Sequence, residues 1–241
     1  SNCYRNLIEK CWSQDPKERP TFEEIASHLR TNKEFITDEI DKEEYESYIK
    51  YVESYQKAQV MNDPSQELND FIDNNNCSFR KVKIDFTKLK KRMVHFSVDM
   101  GSADLNKYEK KSKIGSGAFG NVYKVTNKET DEIAAAKISI YEIDQCNEDI
   151  IMNLTREVDI ISRLNYPTIL KFIGYSPNNF TKKPKPVILT EFASGGSLDM
   201  IIEMERKSCV HNEWNDTKKL INLYGIAAEI KYLHKHKIFH R

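Results

Sequence analysis

Three of the chain's eight glycines fall between Gly115 and Gly120, in the run Ile114-Gly115-Ser116-Gly117-Ala118-Phe119-Gly120-Asn121-Val122. So tight a group limits what the surrounding chain can become. It asks for a backbone able to take positive φ and to lie close against something bulky and charged. The stretch before it, Tyr108 to Ile114, is short and strand-like, and Val122, Tyr123, Val125 and Thr126 after it are strand formers. Glycines between two strands make a hairpin. A dinucleotide-binding fold would instead open a helix with them and face its N-terminus to the pyrophosphate. Ala134-Ala135-Ala136-Lys137 then brings a lysine on a following apolar strand. A glycine-rich flap with a cation beside it points to a held nucleotide phosphate. An ordinary glycine-rich β-turn is the alternative, and Lys137 argues against it.

Composition narrows the class further. Lysine plus arginine equals aspartate plus glutamate, 37 of each in 241 residues, so no global field favours nucleic acid or an anionic membrane. Five cysteines (Cys3, Cys11, Cys77, Cys146, Cys209) are scattered and never spaced C-x-x-C. That pattern fits reduced thiols in a cytoplasmic protein, not a disulfide framework or a zinc site. The six histidines show no metal-like grouping, so no metal site is expected among these residues. No apolar run approaches the roughly eighteen residues of a membrane span.

Three regions follow along the chain. In residues 1–30, Leu7, Ile8, Cys11 and Trp12 share a helical face, and Asp15-Pro16 breaks it. Thr21 with Glu24 spells a capping box, and Phe22, Ile25, Ala26 and Leu29 form the stripe of a second helix. Residues 31–107 read as a linker. Tyr45, Tyr48, Ile49, Val52 and Tyr55 predict one amphipathic helix in it, and Asn69 to Asn76 a loop or disordered stretch. Lys88, Lys90, Lys91 and Arg92 form either a solvated face or a docking site for a partner or acidic lipid. Residues 108–241 carry the chemistry. There Ile150, Ile151, Leu154, Val158, Ile161 and Leu164 lie on one side of a helix that also carries Glu157.

Gly115, Gly117, Gly120 and Val122, followed by Lys137, resemble the nucleotide loop and third-strand lysine of eukaryotic-type protein kinases. Ala134-Ala135-Ala136-Lys137 is a small-residue variant of that family's Val-Ala-Ile-Lys. Arg156-Glu157-Val158 resembles the helix glutamate that pairs with the strand lysine and holds it on the α- and β-phosphates. Asn165-Tyr166-Pro167-Thr168-Ile169 is similar to the link into the fourth strand, with tyrosine for histidine. Thr190 matches the gatekeeper, and Glu191, Phe192 and Ala193 the hinge whose backbone would bond an adenine edge. The resemblance implies an α+β fold: a kinase-like N-lobe of five antiparallel strands plus one helix, then the first helices of the C-lobe. It implies Lys137 and Glu157 as catalytic residues. Ile114, Gly115, Ser116, Gly117, Ala118, Phe119, Gly120, Val122, Ala135, Lys137, Thr190, Glu191 and Ala193 would contact ATP.

The N-terminal motif Cys11-Trp12-Ser13-Gln14-Asp15-Pro16 with Arg19-Pro20-Thr21-Phe22 resembles the last subdomain of kinase domains in the tyrosine-kinase and tyrosine-kinase-like groups. The resemblance therefore implies a C-lobe tail, a linker and then a new kinase head. This order fits a window on tandem kinase domains, an incomplete gene product, or a circular permutation. Ile238-Phe239-His240-Arg241 is similar to the approach to the family's His-Arg-Asp loop. The catalytic aspartate and the Mg2+ ligands are expected beyond Arg241. The implied activity is ATP-dependent phosphorylation of protein hydroxyls, serine or threonine by group analogy. The alternative is a pseudokinase-like nucleotide-binding or scaffold module. The helix Leu220 to Leu233, apolar nearly all round, is expected to expose a face made for an absent large lobe.

Overall fold

In the computed structural model, residues 2–60, 102–143, 148–210 and 213–239 are described. The expected loop at Asn69 to Asn76, the basic cluster Lys88 to Arg92, and His240-Arg241 lie outside the described residues. Five strands form one antiparallel sheet in the order β1-β2-β3-β5-β4. They are β1 (Tyr108–Ser116), β2 (Gly120–Asn127), β3 (Ile133–Ser139), β4 (Phe172–Ser176) and β5 (Val187–Glu191). The expected sheet and its single helix are thus both present.

The two faces of this sheet follow from its period of two. Val125, Ala134, Ala136, Ile138, Val187 and Leu189 share one face and form a core with Leu105. On the other face Lys137 stands between Val122 of β2 and Ile188 of β5. Helix α4 (Glu148–Arg163) packs on this second face, burying Ile151, Leu154 and Val158 against Tyr175 and Ile188. The predicted stripe of α4 is the buried one. Strand β1 shifts register twice, between Lys110 and Gly115, just before the flap. Such bulges bend a strand and sharpen its twist.

Contacts divide the chain into two compact units: the sheet with α4 is one, and the second is helical, drawn from residues 1–79, 166–169 and 196–241. Its described helices are α1 (Asn2–Cys11), α2 (Phe22–Thr31), α3 (Lys42–Val60), α5 (Leu198–Arg206) and α6 (Asp216–Lys235). The expected capping box starts α2: the Glu24 N–H donates to Thr21 Oγ1 at 3.2 Å, and the Thr21 N–H donates to Glu24 Oε2 at 2.7 Å. The amphipathic helix predicted in the linker is α3.

One expectation is corrected here. The apolar face of α6 is not left bare: α2 and α3 of the same chain pack on it. Leu220 is fully buried and Ala228 is 1% exposed, while only the flank bearing Leu223 and Ile226 faces out. The physical reason is that α2 and α3 each offer an apolar stripe of their own, which burial against α6 removes from water.

Candidate nucleotide-binding site

The flap is a hairpin between β1 and β2. The Gly117 N–H donates to the Gly120 carbonyl at 2.9 Å, closing the turn. Ser116 Oγ donates to Asn121 Oδ1 at 2.8 Å and ties its two sides together. Positive φ was the expected reason for the glycines, and the structure corrects it. Among the described glycines only Gly196 has positive φ; Gly115, Gly117 and Gly120 do not. Gly120 is needed for a different reason. A Cβ placed on it would stand 2.8 Å from the carbonyl oxygen of Ile138, closer than any side chain tolerates. Glycine here lets β2 start hard against β3. At Gly115 and Gly117 a Cβ would meet nothing nearer than 3.7 Å. Ile114 and Phe119, the apolar residues of the flap, stay 45% and 41% exposed, and Ala118 is exposed between them.

Beside the flap, β2–β3 pairing sets Val122 opposite Lys137. The Lys137 ammonium pairs with Glu157 Oε1 from α4. Both side chains are about one-third exposed, 34% and 36%. An ion pair that open adds at most about 1 kcal/mol to stability. Its value lies in placing a positive charge, with Glu157 limiting where the ammonium can swing. Glu157 is in turn fixed by its neighbours, since Leu154 and Val158 anchor that turn of α4 in the core. Phe119, Leu154, Val158 and Ile188 line a small cleft with Lys137 and Glu157.

Along the same sheet face, Ala135 of β3 sits opposite Thr190 of β5. Ala135 is buried and Thr190 half-buried, with Thr190 Oγ1 donating to the Glu191 carbonyl at 3.1 Å. Glu191 turns its carboxylate back to the start of β4, accepting the Lys171 N–H at 2.8 Å. The Lys124 ammonium lies 5.2 Å from the centre of the Phe192 ring. Ala193 is exposed beyond β5.

The structure therefore gathers Val122, Ala135, Lys137 and Thr190 on one face, with Glu157 against them. The Glu191 side chain is engaged elsewhere, and Ala193 offers only backbone. Sequence reasoning missed Ile188 and Leu154 as lining of the cleft that holds Lys137 and Glu157. The signal for Ile188 was the β3–β5 register, which no local spacing encodes.

Comparison with known proteins decides the family. The protein kinase domain matches residues 108–241. The chain belongs to the protein kinase family. Relatives of this kinase domain include the inhibitor of nuclear factor kappa-B kinase subunit alpha of Xenopus laevis, 30% identical over 136 residues, covering 56% of this chain and 17% of that protein. Serine/threonine-protein kinase 10 of Danio rerio is 31% identical over 164 residues, covering 68% of this chain and 15% of the relative. The Aurora kinase of Saccharomyces cerevisiae is 30% identical over 140 residues, 58% of this chain and 35% of the relative. The chain thus spans well under half the length of each of these relatives. Among the described residues no helix is long and apolar enough to cross a membrane.

The residues fit a nucleotide triphosphate on structural grounds. Polyphosphate needs a cation and close-approaching backbone. Lys137 supplies the first, and the flap, without side chains at Gly115 and Gly117, lets a ligand come close to its backbone for the second. Among the described residues no group of three or more His, Cys, Asp or Glu side chains could hold a metal ion.

Proposed function

We propose that residues 108–241 bind ATP and belong to a protein kinase acting on serine or threonine hydroxyls of a protein substrate. The observation that carries this reading is the Lys137–Glu157 ion pair beside the glycine flap. Lys137 would take the α- and β-phosphates, and Glu157 would hold its ammonium there. The flap from Gly115 to Gly120 would cover the phosphates with backbone N–H groups, and Ile114 and Phe119 would shield them from water. Val122 and Ala135 give the adenine a flat apolar bed, made shallow enough by the small side chain of Ala135. The backbone at Glu191 and Ala193 would read the adenine edge, with Thr190 setting how deep the pocket runs. ATP supplies the phosphoryl group; magnesium would screen its charge.

The name of one relative, serine/threonine-protein kinase 10, supports the choice of hydroxyl. Cys11 and Cys209 are free thiols, which supports a reducing, cytoplasmic setting. The intact lysine–glutamate pair speaks against the pseudokinase-like alternative.

Titration of the full 241-residue chain with a fluorescent ATP analogue tests the reading. A charge at about 4 Å from phosphate is worth up to about 4 kcal/mol at an effective dielectric of 20. Lys137→Met should therefore weaken binding at least tenfold, about 1.4 kcal/mol. Unchanged affinity would remove Lys137 from its assigned place and the proposal with it.

A further inference from the structure

Strand β5 ends at Glu191, and little packs on the chain just beyond it. Glu191 and Ala193 are exposed, and a Cβ placed on Gly195 or Gly196 would meet nothing within 4 Å. A strand end with so few contacts ordinarily opens easily. Backbone that is to bond a base edge must instead hold still, because a hydrogen bond weakens steeply once its angle is lost.

Two side chains supply the missing hold, from opposite sides of β5. On the β4 side, Glu191 and Lys171 bond each other twice. The Glu191 N–H donates to the Lys171 carbonyl at 2.9 Å, and the Lys171 N–H donates to Glu191 Oε1 at 2.8 Å. The carboxylate thus stands in for a ladder partner next to the register shift of β4 between Phe172 and Gly174. A charged acceptor makes that bond about twice as strong as a neutral one. On the other side, β2 reaches across β3. Lys124, Ala135 and Thr190 form one row over β2, β3 and β5, on the face that carries Val122 and Lys137. From this row the half-buried Lys124 sets its ammonium 5.2 Å from the centre of the half-buried Phe192 ring. A cation is attracted to a ring face within about 6 Å. Thr190 Oγ1, donating to the Glu191 carbonyl, fixes the peptide between the two holds.

We propose that Glu191 and Lys124 are positioning residues of the nucleotide site, bracing the backbone of residues 191–193 from β4 and from β2 so that a purine base meets it in one fixed geometry. The inference rests on the nucleotide reading above. The Glu191 carboxylate and the Lys124 ammonium act through backbone and ring. Their effect therefore falls on the base end of a nucleotide, whereas Lys137 acts on its polyphosphate.

Competition against a fluorescent ATP analogue on the full chain tests this, with adenosine and inorganic tripolyphosphate as separate competitors. Salt at about 0.15 M keeps charge effects within roughly 8 Å. Glu191→Ala should weaken adenosine about three- to tenfold. Lys124→Gln should weaken it about two- to fivefold. Tripolyphosphate should shift by less than about twofold in either variant, since its ligand Lys137 is untouched. Glu191→Gln, which keeps an acceptor oxygen, should lose less than Glu191→Ala. Lys124→Arg, which keeps a cation over the ring, should match the wild type. Lys137→Met should do the reverse of all these, weakening tripolyphosphate and sparing adenosine. Failure of the analogue to bind, or binding indifferent to Lys137→Met, would overturn the nucleotide reading itself. With that binding intact, adenosine affinity unchanged in Glu191→Ala and Lys124→Gln would overturn the brace alone. So would equal weakening of adenosine and tripolyphosphate, which marks a general loss of structure.

Discussion

Replacing Gly120 with alanine adds one methyl group where the structure has no room. Its Cβ would stand 2.8 Å from the Ile138 oxygen, 3.3 Å from the Ile138 carbonyl carbon and 3.4 Å from Lys137 Cγ. The obstructing atoms are backbone of β3, which is held on both sides by β2 and β5 and cannot yield freely. The strain must go into the β2–β3 ladder or into the lysine stem, and overpacking of this kind costs about 1–3 kcal/mol. Moving the stem also draws the ammonium off Glu157. Gly120→Ala should therefore lower stability and nucleotide affinity together. Gly115→Ala and Gly117→Ala meet only ordinary contacts, at 3.7 and 3.9 Å, and neither residue has positive φ. Those two should be neutral, or stabilising by about 0.4–1 kcal/mol through the unfolded chain. Both tryptophans, Trp12 and Trp214, belong to the helical unit, so intrinsic fluorescence would report the wrong part of the protein. Hydrogen exchange of β2 and β3, with titration of a fluorescent ATP analogue, is the suitable assay. If Gly115→Ala destabilises the sheet as much as Gly120→Ala does, close approach to β3 is not what selects the glycine.

Leu189→Ala, at a fully buried site in the sheet core, should cost about 2–5 kcal/mol, read from exchange protection of β5. Thr21→Ala removes the cap of α2 and should lower stability of the helical unit by about 1 kcal/mol, read from the Trp214 fluorescence midpoint in urea. Burial pushes the phenols of Tyr45 and Tyr224 in the helical unit, and of Tyr175 in the sheet unit, well above the ordinary tyrosine range. Raised folded-state values mean that their contribution is fully present below the unfolded pKa of about 10 and is lost as pH rises through the folded values. Absorbance at 295 nm and circular dichroism, followed together, should show these phenols ionising only as structure is lost. Ionisation of all twelve tyrosines with the dichroism unchanged would contradict this.

Much of the sheet unit was legible because its signals are local. Strand formers flank the flap, the stripe of α4 recurs at helical spacing, and the lysine stands at a fixed remove from the glycines. The run Ala134 to Ala136 was read as a variant spelling; in the structure Ala134 and Ala136 pack within the core shared with Val125 and Leu189. The purpose of Gly120 was not legible, because the obstructing carbonyl belongs to another strand. Ile188 escaped notice for the same reason. The run from Asp38 to Glu46 is acidic, and no partner for it is legible from its spacing. In the structure Asp41 caps α3, with Oδ1 accepting the Glu44 N–H at 3.0 Å, and Glu44 itself pairs with Lys218. Charge runs look alike whether they face water or a partner, and only tertiary pairing tells them apart. The partner of α6 was hidden by sequence distance, which amphipathic patterns do not carry.

That distance has a kinetic side. The hydrogen bond from the Asp41 N–H to Thr217 joins residues 176 positions apart. At about 5–20 residues per second, a ribosome needs roughly 9–35 s to make the stretch between them. The sheet unit, whose strands are nearer neighbours in sequence, is complete before α6 emerges. For that interval α2 and α3 are on the nascent chain with their α6-facing sides uncovered. Slow codons between Asp41 and Thr217 would lengthen that exposure, and a bound chaperone would cover it.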